Sequence, residues 1–348
     1  MQECGGVAAR VALLAPGGSA AEQEQAAVAL NKLCVDNTQN CDRVRECGGI
    51  VALVALLAPG GPAAVQEAAA MALRCLCSNN AQNRDSVRVC GGIAALVGLL
   101  APGRSAAVQG AAAGALWNLC IDNAQNCDIV RECGGIAALV ALLAPGGTAA
   151  MHKQAARALR NLCMSNIRNM DSIRECGGVA ALVGLLAPGA SAAVHEQAAG
   201  ALRNLCNSST HNRVCVRWCG GIAPLVELLA PGSPAVVLEH AAAALWNVCI
   251  DNIENRDSVR ECGGVAALVG LLAPARPAAV HWMAAGALVA LTSESGQSRD
   301  AVGAYGGVAA LERVLASASS ASAHECAAAA LRNLGRVQQA VSDLGHPD

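Results

Sequence analysis

The side chains with the widest chemical repertoire in this sequence are its eighteen cysteines. Closely spaced cysteines can form disulfides, bind Zn²⁺ or supply a thiolate nucleophile. Seven of them precede a Gly-Gly pair, and six more end successive amphipathic segments. The first set is Cys4, Cys47, Cys90, Cys133, Cys176, Cys219 and Cys262, and the second is Cys34, Cys77, Cys120, Cys163, Cys206 and Cys249. Thirteen of the eighteen therefore recur at fixed positions, which is typical of small packing residues.

The spacing of these cysteines argues against both disulfides and metal. Equivalent residues in stacked helical repeats lie roughly 10 Å apart, beyond the roughly 7 Å between Cα atoms that a disulfide can bridge. The sequence holds no C-x-x-C pair, and its nearest approaches are Cys75-x-Cys77 and Cys215-x-x-x-Cys219. We expect buried free thiols, no metal, no cofactor, and a reducing compartment, the cytoplasm or the nucleus. A thiol- or metal-binding protein is kept as an alternative function.

Other chemical functions find little support in the sequence. No nucleophile, base and orienting residue recur together, and no strand leads into a glycine-rich phosphate loop, so we expect no enzymatic activity. The net charge is -2 and no basic stripe with interleaved aromatics occurs, so we expect no nucleic-acid partner. The uncharged stretch from Cys133 to His152 contains five glycines and prolines, which predicts two helices and a turn and no membrane insertion.

A single period organises the chain and must position all of these residues. The motif CGG, or YGG once, recurs at intervals of 43 residues. A period of this length is typical of a solenoid, in which each unit buries itself against its neighbours. We therefore predict one all-α domain over 1–348, with incomplete terminal repeats. The repeats are predicted to start at 4, 47, 90, 133, 176, 219, 262 and 305.

Each repeat is predicted to contain three helices, in the order short, short, long. In the fifth repeat, IRECGG closes a short polar helix, VAALVGLLAPG predicts a short apolar helix, and SAAVHEQAAGALRNLC predicts a long amphipathic helix. On the long helix, apolar residues follow spacings of four, four and three, which predicts a core face. These residues are Val194, Ala198, Leu202 and Leu205.

The polar helix carries its own start signal. An Asn recurs at one phase of the repeat, and a Ser replaces it once. The residues are Asn40, Asn83, Asn126, Asn169, Asn212, Asn255 and Ser298. Asn and Ser are good helix N-caps, and the Asp two residues later, Asp42 in the first case, would then lie in the first turn near the positive end of the helix dipole. We interpret this recurrent acid as structural.

A second face of the long helix carries polar side chains that core packing does not require. An Asn recurs on this face, and the series is here called the Asn ladder. Its members are Asn118, Asn161, Asn204, Asn247 and Asn333. Asn is a mediocre helix former, so the ladder indicates a function. Trp117 and Trp246 precede two of its members inside the near-identical strings ALWNLCIDN and ALWNVCIDN.

The string VQGAAAGALWNLCIDNAQNCDIVRECGGIAALVALLAPG, from Val108 to Gly146, resembles an armadillo repeat, the three-helix unit of β-catenin and importin α. The resemblance extends over essentially the whole chain in eight consecutive repeats. It implies a right-handed α-solenoid superhelix whose third, long helices line a concave groove. It also implies that the ladder holds the backbone of an extended peptide, since an amide offers both a donor and an acceptor. The expected function is a non-catalytic scaffold for protein–protein interaction.

The charged and aromatic residues beside the ladder indicate which peptide would bind. Asp122 and Asp251 follow the Asn of their repeats by four residues, which would place each carboxylate one helical turn away. Arg157, Arg160 and Arg203 form a basic middle. We expect an extended peptide of mixed or acidic character, with the two Trp side chains as anchors. The alternatives are packing across the helix for the tryptophans, and a hydrogen bond to the neighbouring repeat's backbone for the ladder.

A nuclear import adaptor that recognises basic cargo peptides is the alternative within the same family. The importin family places a Trp four residues before its ladder Asn, and this chain has none there. The corresponding positions hold Val28, Met71, Gly114, Arg157, Gly200, Ala243, Gly286 and Ala329. The resemblance therefore favours the scaffold over the import adaptor.

The two ends of the array depart from a complete repeat. The chain starts before an apolar helix, which is expected to leave Leu13 and Leu14 without a cover. At the other end RVQQAVSDLG, over 336–345, has apolar residues at helical spacing and is predicted to form a partial cap. Because a terminal repeat needs a polar outer face, we expect either a fragment of a longer protein or end-to-end self-association through the N-terminal repeat.

Overall fold

The computed structural model of the chain describes residues 2–164, 166–317 and 320–335. Over these residues the protein contains 23 helices and no strand, which confirms the predicted all-α class. The predicted cap over 336–345 lies outside the described residues.

The chain forms two compact units, an N-terminal unit over Met1–Gly178 and a C-terminal unit over Val179–Asp348. The single domain expected from the period stays a prediction. In the N-terminal unit Leu14 is buried, so the expectation that it lacks a cover is wrong, whereas Leu13 is exposed. End-to-end self-association also stays a prediction.

The helices follow the predicted order of short polar, short apolar and long. The polar helices are α3 (Thr38–Glu46), α6 (Ala81–Val89), α9 (Ala124–Glu132), α12 (Ile167–Glu175), α15 (Thr210–Trp218), α18 (Ile253–Glu261) and α21 (Gly296–Ala304). The apolar helices are α1 (Gln2–Ala12), α4 (Gly49–Ala55), α7 (Gly92–Gly98), α10 (Gly135–Ala141), α13 (Gly178–Gly184), α16 (Ile222–Glu227), α19 (Gly264–Gly270) and α22 (Gly307–Ala316). The long helices are α2 (Ala20–Cys34), α5 (Ala63–Leu76), α8 (Ala106–Leu119), α11 (Ala149–Leu162), α14 (Ala192–Asn207), α17 (Ala235–Cys249), α20 (Ala278–Thr292) and α23 (Ala321–Asn333).

The predicted start of the polar helix is wrong by three residues. Asn37, not Asn40, caps α3, because its side chain accepts a hydrogen bond from the backbone N–H of Asn40. Asn40 lies inside the helix, and its Nδ2 donates to the carbonyl oxygen of Leu33 at 2.8 Å, in the last turn of α2. Carbonyls in that turn lack partners within their own helix, so this side chain ties the polar helix to the long one. The caps of the later polar helices are Asn80, Asn123, Asn166, Ser209, Asn252 and Ser295.

The recurrent Asp of the polar helix makes structural contacts, but not those predicted. Asp42 is the fifth residue of α3, so it lies beyond the first turn. Its carboxylate accepts hydrogen bonds from Arg45 at 2.8 Å and from Nδ2 of Asn80, in the next repeat, at 3.0 Å. The Asn80 bond, followed by the Arg45 bond, lowers the pKa of Asp42. This carboxylate therefore joins successive repeats.

The Gly-Gly pair turns the chain from the polar to the apolar helix. Gly91 has a φ of +73°, a left-handed conformation that glycine adopts without steric cost. A Cβ atom on Gly92 would lie 2.5 Å from Cγ1 of Val87 and 3.0 Å from Cγ2 of Val54 in the preceding repeat. The first glycine is needed for the backbone conformation, and the second for close packing of the helices.

The core of each unit lies between successive long helices. In the N-terminal unit α2 packs on α5, α5 on α8, and α8 on α11, and in the C-terminal unit α14 packs on α17, α17 on α20, and α20 on α23. The predicted core face of α14 is confirmed, because Val194, Ala198, Leu202 and Leu205 are all buried. Packing of this face fixes the orientation of the ladder residues on the same helices.

Candidate functional site

The Asn ladder bonds to the backbone of the preceding repeat. Four of its members donate from Nδ2 to the carbonyl oxygen of the residue 44 positions earlier. The pairs are Asn118 with Arg74 (2.6 Å), Asn161 with Trp117 (3.4 Å), Asn247 with Arg203 (2.9 Å) and Asn333 with Val289 (3.2 Å). The structural alternative for the ladder is thus observed. The role of the same amides in peptide binding stays a prediction.

The ladder side chains differ in how much of them a ligand can reach. Asn118 is 3% exposed, whereas Asn161, Asn204, Asn247 and Asn333 are each partly exposed. An amide that donates through its nitrogen retains two acceptor positions on its oxygen. Peptide contact is therefore more accessible at the other four positions than at Asn118.

In the N-terminal unit, Trp117 lies beneath a guanidinium. Cζ of Arg157, on α11, lies 3.1 Å from the centroid of the Trp117 ring, within the range of a cation–π interaction. Trp117 also lines a cavity of about 520 Å³. Most of that lining is polar, and it includes one carboxylate and three thiols. These residues are Asp36, Cys34, Cys41 and Cys75.

In the C-terminal unit, the equivalent Trp246 lies on a glycine. A Cβ atom on Gly286 of α20 would overlap with the Trp246 ring, so the indole packs directly on the backbone there. Trp246 and Trp282 line one cavity of about 320 Å³, together with the ladder residues Asn204 and Asn247. Two indoles and two amides are therefore combined on one concave surface.

The sequence pattern does not identify Trp282 as a candidate site residue. Burial raises the pKa of the Cys326 thiol on α23, and a hydrogen bond from Trp282, on α20, acts in the opposite direction. The sequence does contain a feature that points to Trp282, because the equivalent position in six other repeats holds a charged residue. Those residues are Glu24, Glu67, Lys153, Glu196, Glu239 and Glu325. An indole in place of a charge marks a repeat with a different surface.

Four consecutive segments of the chain, 80–121, 123–164, 168–207 and 209–250, match the family model of the Armadillo/beta-catenin-like repeat. This chain belongs to the armadillo-repeat family. The resemblance inferred from the string at Val108–Gly146 is thereby confirmed.

Solved structures agree with the armadillo fold. An engineered protein is 29% identical to this chain, with a TM-score of 0.87 over 98% of this chain and 85% of that one. A structure of computationally designed armadillo repeat proteins for modular peptide recognition is 25% identical, with a TM-score of 0.63 over 69% of this chain and 99% of that one. A designed armadillo repeat protein in complex with the peptide (KR)4 is 26% identical, with a TM-score of 0.62 over 70% and 99%. A search of curated proteins finds no match.

The predicted basic residues of the armadillo array have neighbours of their own. Arg157 covers Trp117, and Nη1 of Arg203 lies 4.0 Å from Oε1 of Glu239. Arg160 lies in the last turn of α11, where a cation interacts favourably with the helix dipole. The carboxylate of Glu239 therefore offsets part of the charge of Arg203, whereas Arg157 keeps its charge above the ring.

The two predicted acidic residues do not lie on the armadillo long helices. α8 ends at Leu119 and Asp122 has a φ of +48°, while α17 ends at Cys249 and Asp251 has a φ of +50°. A left-handed residue terminates a helix, so the four-residue spacing from the ladder Asn does not place these carboxylates one turn away. Both side chains are exposed. Their contribution to peptide binding stays a prediction.

The described residues include neither a helix of the length and apolarity that a bilayer span requires nor a cluster of three His, Cys, Asp or Glu side chains suited to a metal ion. The seventeen cysteines from Cys34 to Cys326 are free thiols. Burial raises the pKa of Cys77, Cys206 and Cys249 to about 12, against a smaller opposite effect of a nearby Arg. These three thiols are therefore protonated at neutral pH.

Proposed function

We propose that this armadillo-repeat protein is a non-catalytic scaffold that binds an extended segment of another protein along its long helices. The observation that carries the proposal is the cavity of about 320 Å³ in the C-terminal unit, which two indoles and two ladder amides share. Aromatic side chains dominate the energetics of many protein interfaces, and amides can pair with the backbone of an extended chain. The cavity thus offers one surface to a peptide side chain and another to its main chain.

The lining of this cavity favours a large apolar side chain. Trp246, Trp282 and Ile250 supply apolar surface, and the lining includes no carboxylate. Arg203, which also lines the cavity, lies 4.0 Å from Glu239. An aliphatic or aromatic side chain would gain about 25 cal/mol for each Å² of apolar area removed from water, whereas a Lys would find no carboxylate in the lining. The proposed ligand is a peptide with an apolar anchor among polar or acidic residues.

A nuclear import adaptor is the second candidate, and two observations favour it. The cavity of the N-terminal unit includes the carboxylate of Asp36, which a basic side chain would contact favourably, and a designed relative is in complex with the basic peptide (KR)4. Against this reading, a guanidinium already lies on the face of Trp117. Either function would place the protein in a reducing compartment, the cytoplasm or the nucleus.

The proposal is tested with an array of extended peptides of basic, acidic and mixed character, each with and without a central Leu or Phe. We expect Trp246→Ala and Trp282→Ala to weaken binding of the apolar-anchored peptides by about tenfold or more, as truncation of a central aromatic does. Trp117→Ala should cost less, because Arg157 already covers that ring. Trp218→Ala is the matched control, since Trp218 is 77% exposed and lines neither cavity. Fluorescence polarisation measures each affinity.

Circular dichroism of each variant establishes that helix content is retained. Equal affinity of the wild type and the two C-terminal Trp variants would contradict the proposal. A preference for Lys-rich peptides that survives both substitutions would favour the import adaptor. Substitution of a ladder Asn is a poorer test, because it also removes a hydrogen bond between repeats.

A further inference from the structure

The position seven residues after the Cys that closes a long helix differs between repeats: it holds an Arg in three repeats, a Cys in two and Met170 in one. In three repeats it holds Arg84, Arg213 or Arg256, whose Nε donates to the carbonyl oxygen of that Cys at 3.0, 2.9 and 3.0 Å. Nη1 of each Arg donates to a carbonyl oxygen in the next repeat, at 2.8, 3.2 and 2.9 Å. The guanidinium therefore satisfies two backbone acceptors and joins two repeats.

In the first and third repeats the same position is a second Cys. Sγ of Cys41 donates to the carbonyl oxygen of Cys34 at 3.5 Å, and Cys127 makes the same bond to Cys120 at 3.5 Å. The shorter side chain places the second sulfur against the residue that carries the first, and each thiol of a pair shifts the pKa of the other. These two repeats therefore each contain a dithiol where the Arg repeats contain one thiol.

The first dithiol lines a cavity. Cys34 and Cys41 are part of the wall of the N-terminal cavity of about 520 Å³, together with Trp117 and Asn118. This volume is many times the roughly 30 Å³ that a water molecule occupies in the liquid. The cavity can therefore hold a molecule the size of hydrogen peroxide beside these two residues, which are 3% and 4% exposed.

The contact between the two thiols also makes them different. A hydrogen bond from Cys34 lowers the pKa of Cys41, against the opposite effects of burial and of Asp42. The same contact, with burial, raises the pKa of Cys34. Because the thiolate is the reactive form of cysteine, Cys41 is the nucleophile of the pair. Cys77, which faces Arg84 in place of a second thiol, has its pKa raised to about 12 by burial.

We propose that Cys34 and Cys41 form a reversible disulfide when a peroxide enters this cavity, so that the wall of the cavity is a redox-sensitive modification site. The Cys41 thiol loses its proton, the thiolate attacks one oxygen of hydrogen peroxide, and the O–O bond breaks to give a sulfenic acid and hydroxide, which takes up the released proton as water. The sulfur of Cys34 then attacks the sulfenic sulfur, the S–S bond forms, and the hydroxyl leaves with the Cys34 proton as water. The two thiols lose two electrons, which reduce one peroxide to water. This chemistry does not depend on the proposed peptide binding.

Close sulfurs alone do not make such a site, as a second pair shows. Sγ of Cys215 and Sγ of Cys219 lie 3.9 Å apart at the end of α15. Their helical spacing of four residues holds Cβ atoms about 5–6 Å apart, whereas a disulfide needs about 3.5–4.5 Å. Cys34 and Cys41 lie on different helices, α2 and α3, and are free of this constraint. The Cys215 pair is therefore an internal control.

The test exposes the full, reduced chain to a limiting amount of hydrogen peroxide. The remaining thiols are then alkylated under denaturing conditions, and unreduced peptides are mapped by mass spectrometry. We expect a Cys34–Cys41 crosslink that a dithiol reductant reverses, with Cys77 still free. The Cys41→Arg variant, which copies the arrangement at Arg84, should lose this crosslink completely and keep its helix content. The matched variant Cys127→Arg should retain it.

Several outcomes would overturn the proposal. They are oxidation of Cys41 to sulfinic or sulfonic acid without a crosslink, no oxidation of either thiol, and a crosslink that survives Cys41→Arg. If Cys41→Arg does not fold, Cys34→Ser provides a second measurement, because it removes the thiol that resolves the sulfenic acid. A sulfenic acid trapped at Cys41 by a dimedone probe supports the proposal, and its absence in that variant refutes it.

Discussion

Trp117 and Trp246 occupy the same position in near-identical strings, yet they present different surfaces. In the N-terminal unit the guanidinium of Arg157 lies on the Trp117 ring, whereas in the C-terminal unit Gly286 lets the Trp246 ring pack on the backbone. Arg157 and Gly286 hold equivalent positions of the following long helix. The surroundings of each indole are therefore set by the next repeat, and not by the string that contains it.

The same comparison extends to the next turn of that helix. Trp282 in the C-terminal unit occupies the position that Lys153 occupies in the N-terminal unit. Trp246 consequently shares its cavity with a second indole, while Trp117 is covered by a cation. An array of similar repeats can thus carry unlike binding surfaces through a few substitutions on one helix face.

The comparison of Trp117 with Trp246 assumes that the cores beneath them are equivalent. Truncation of a core residue tests this assumption and should have the largest effect on the free energy of unfolding. Leu116 and Leu245, the residues before the two tryptophans, are both fully buried. We expect Leu116→Ala and Leu245→Ala each to lower the free energy of unfolding by about 2–5 kcal/mol, and by similar amounts. Urea unfolding followed by circular dichroism measures both. A cost in only one variant would show that the units differ in their cores as well as around the two indoles.

A smaller decrease in the free energy of unfolding should appear at high pH, again in both units. Burial raises the pKa of Cys77 and of Cys206 to about 12, from an ordinary value of 9.0. Above the ordinary value the unfolded chain releases these protons while the folded chain retains them, so stability falls as the pH rises from about 9 to about 12. Each thiol contributes about 1.4 kcal/mol per pH unit in that range.

Single substitutions assign this pH dependence to each unit. Between about pH 8 and about pH 10, the free energy of unfolding should fall less steeply with pH in Cys77→Ala and in Cys206→Ala than in the wild type, because each variant lacks one buried thiol. Urea unfolding at several pH values measures this slope. A slope in either variant that equals that of the wild type would show that the buried thiol in that unit is not the source.

The smallest expected effect concerns the cover of Trp117. A cation–π contact contributes roughly 0.5–1 kcal/mol at a partly exposed site. A double-mutant cycle of Arg157→Ala and Trp117→Leu should give a coupling energy of that size in the free energy of unfolding. The same cycle with Arg157→Lys should retain part of the coupling, because the cation remains. A coupling energy indistinguishable from zero in both cycles would show that Arg157 does not stabilise its contact with Trp117, so this contact would not distinguish Trp117 from Trp246.

The features that follow from the sequence are those that recur with its period. The order of helices and the ladder positions repeat at intervals of 43 residues, and stacking places each recurrence at the same point of its repeat. The core face of α14 follows in the same way from helical spacing, since Leu202 and its neighbours must face one side.

The features that the sequence does not reveal depend on contacts or on where a helix stops. Asn37 and Asn40 both recur at the same period, so their spacing does not show which of them caps the polar helix. The structure identifies Asn37 as the cap, because its backbone is not helical, with a φ of -130°. Trp282 and Cys41 interrupt recurring patterns and have partners on other helices, so a search for repeated residues overlooks them. Asp122 is misplaced because a spacing of four residues brings side chains together only where the helix continues.

The hydrogen bonds of the ladder and of the buried arginines join residues about one period apart. The ladder amides reach back 44 residues and the arginines reach forward 37. Loss or duplication of one whole period therefore presents each donor with an equivalent acceptor in its new neighbour. Unequal recombination between such periods would change the length of the array without leaving these buried polar groups unpaired. Complete repeats are therefore units by which the array can grow or shrink with its inter-repeat hydrogen bonds intact.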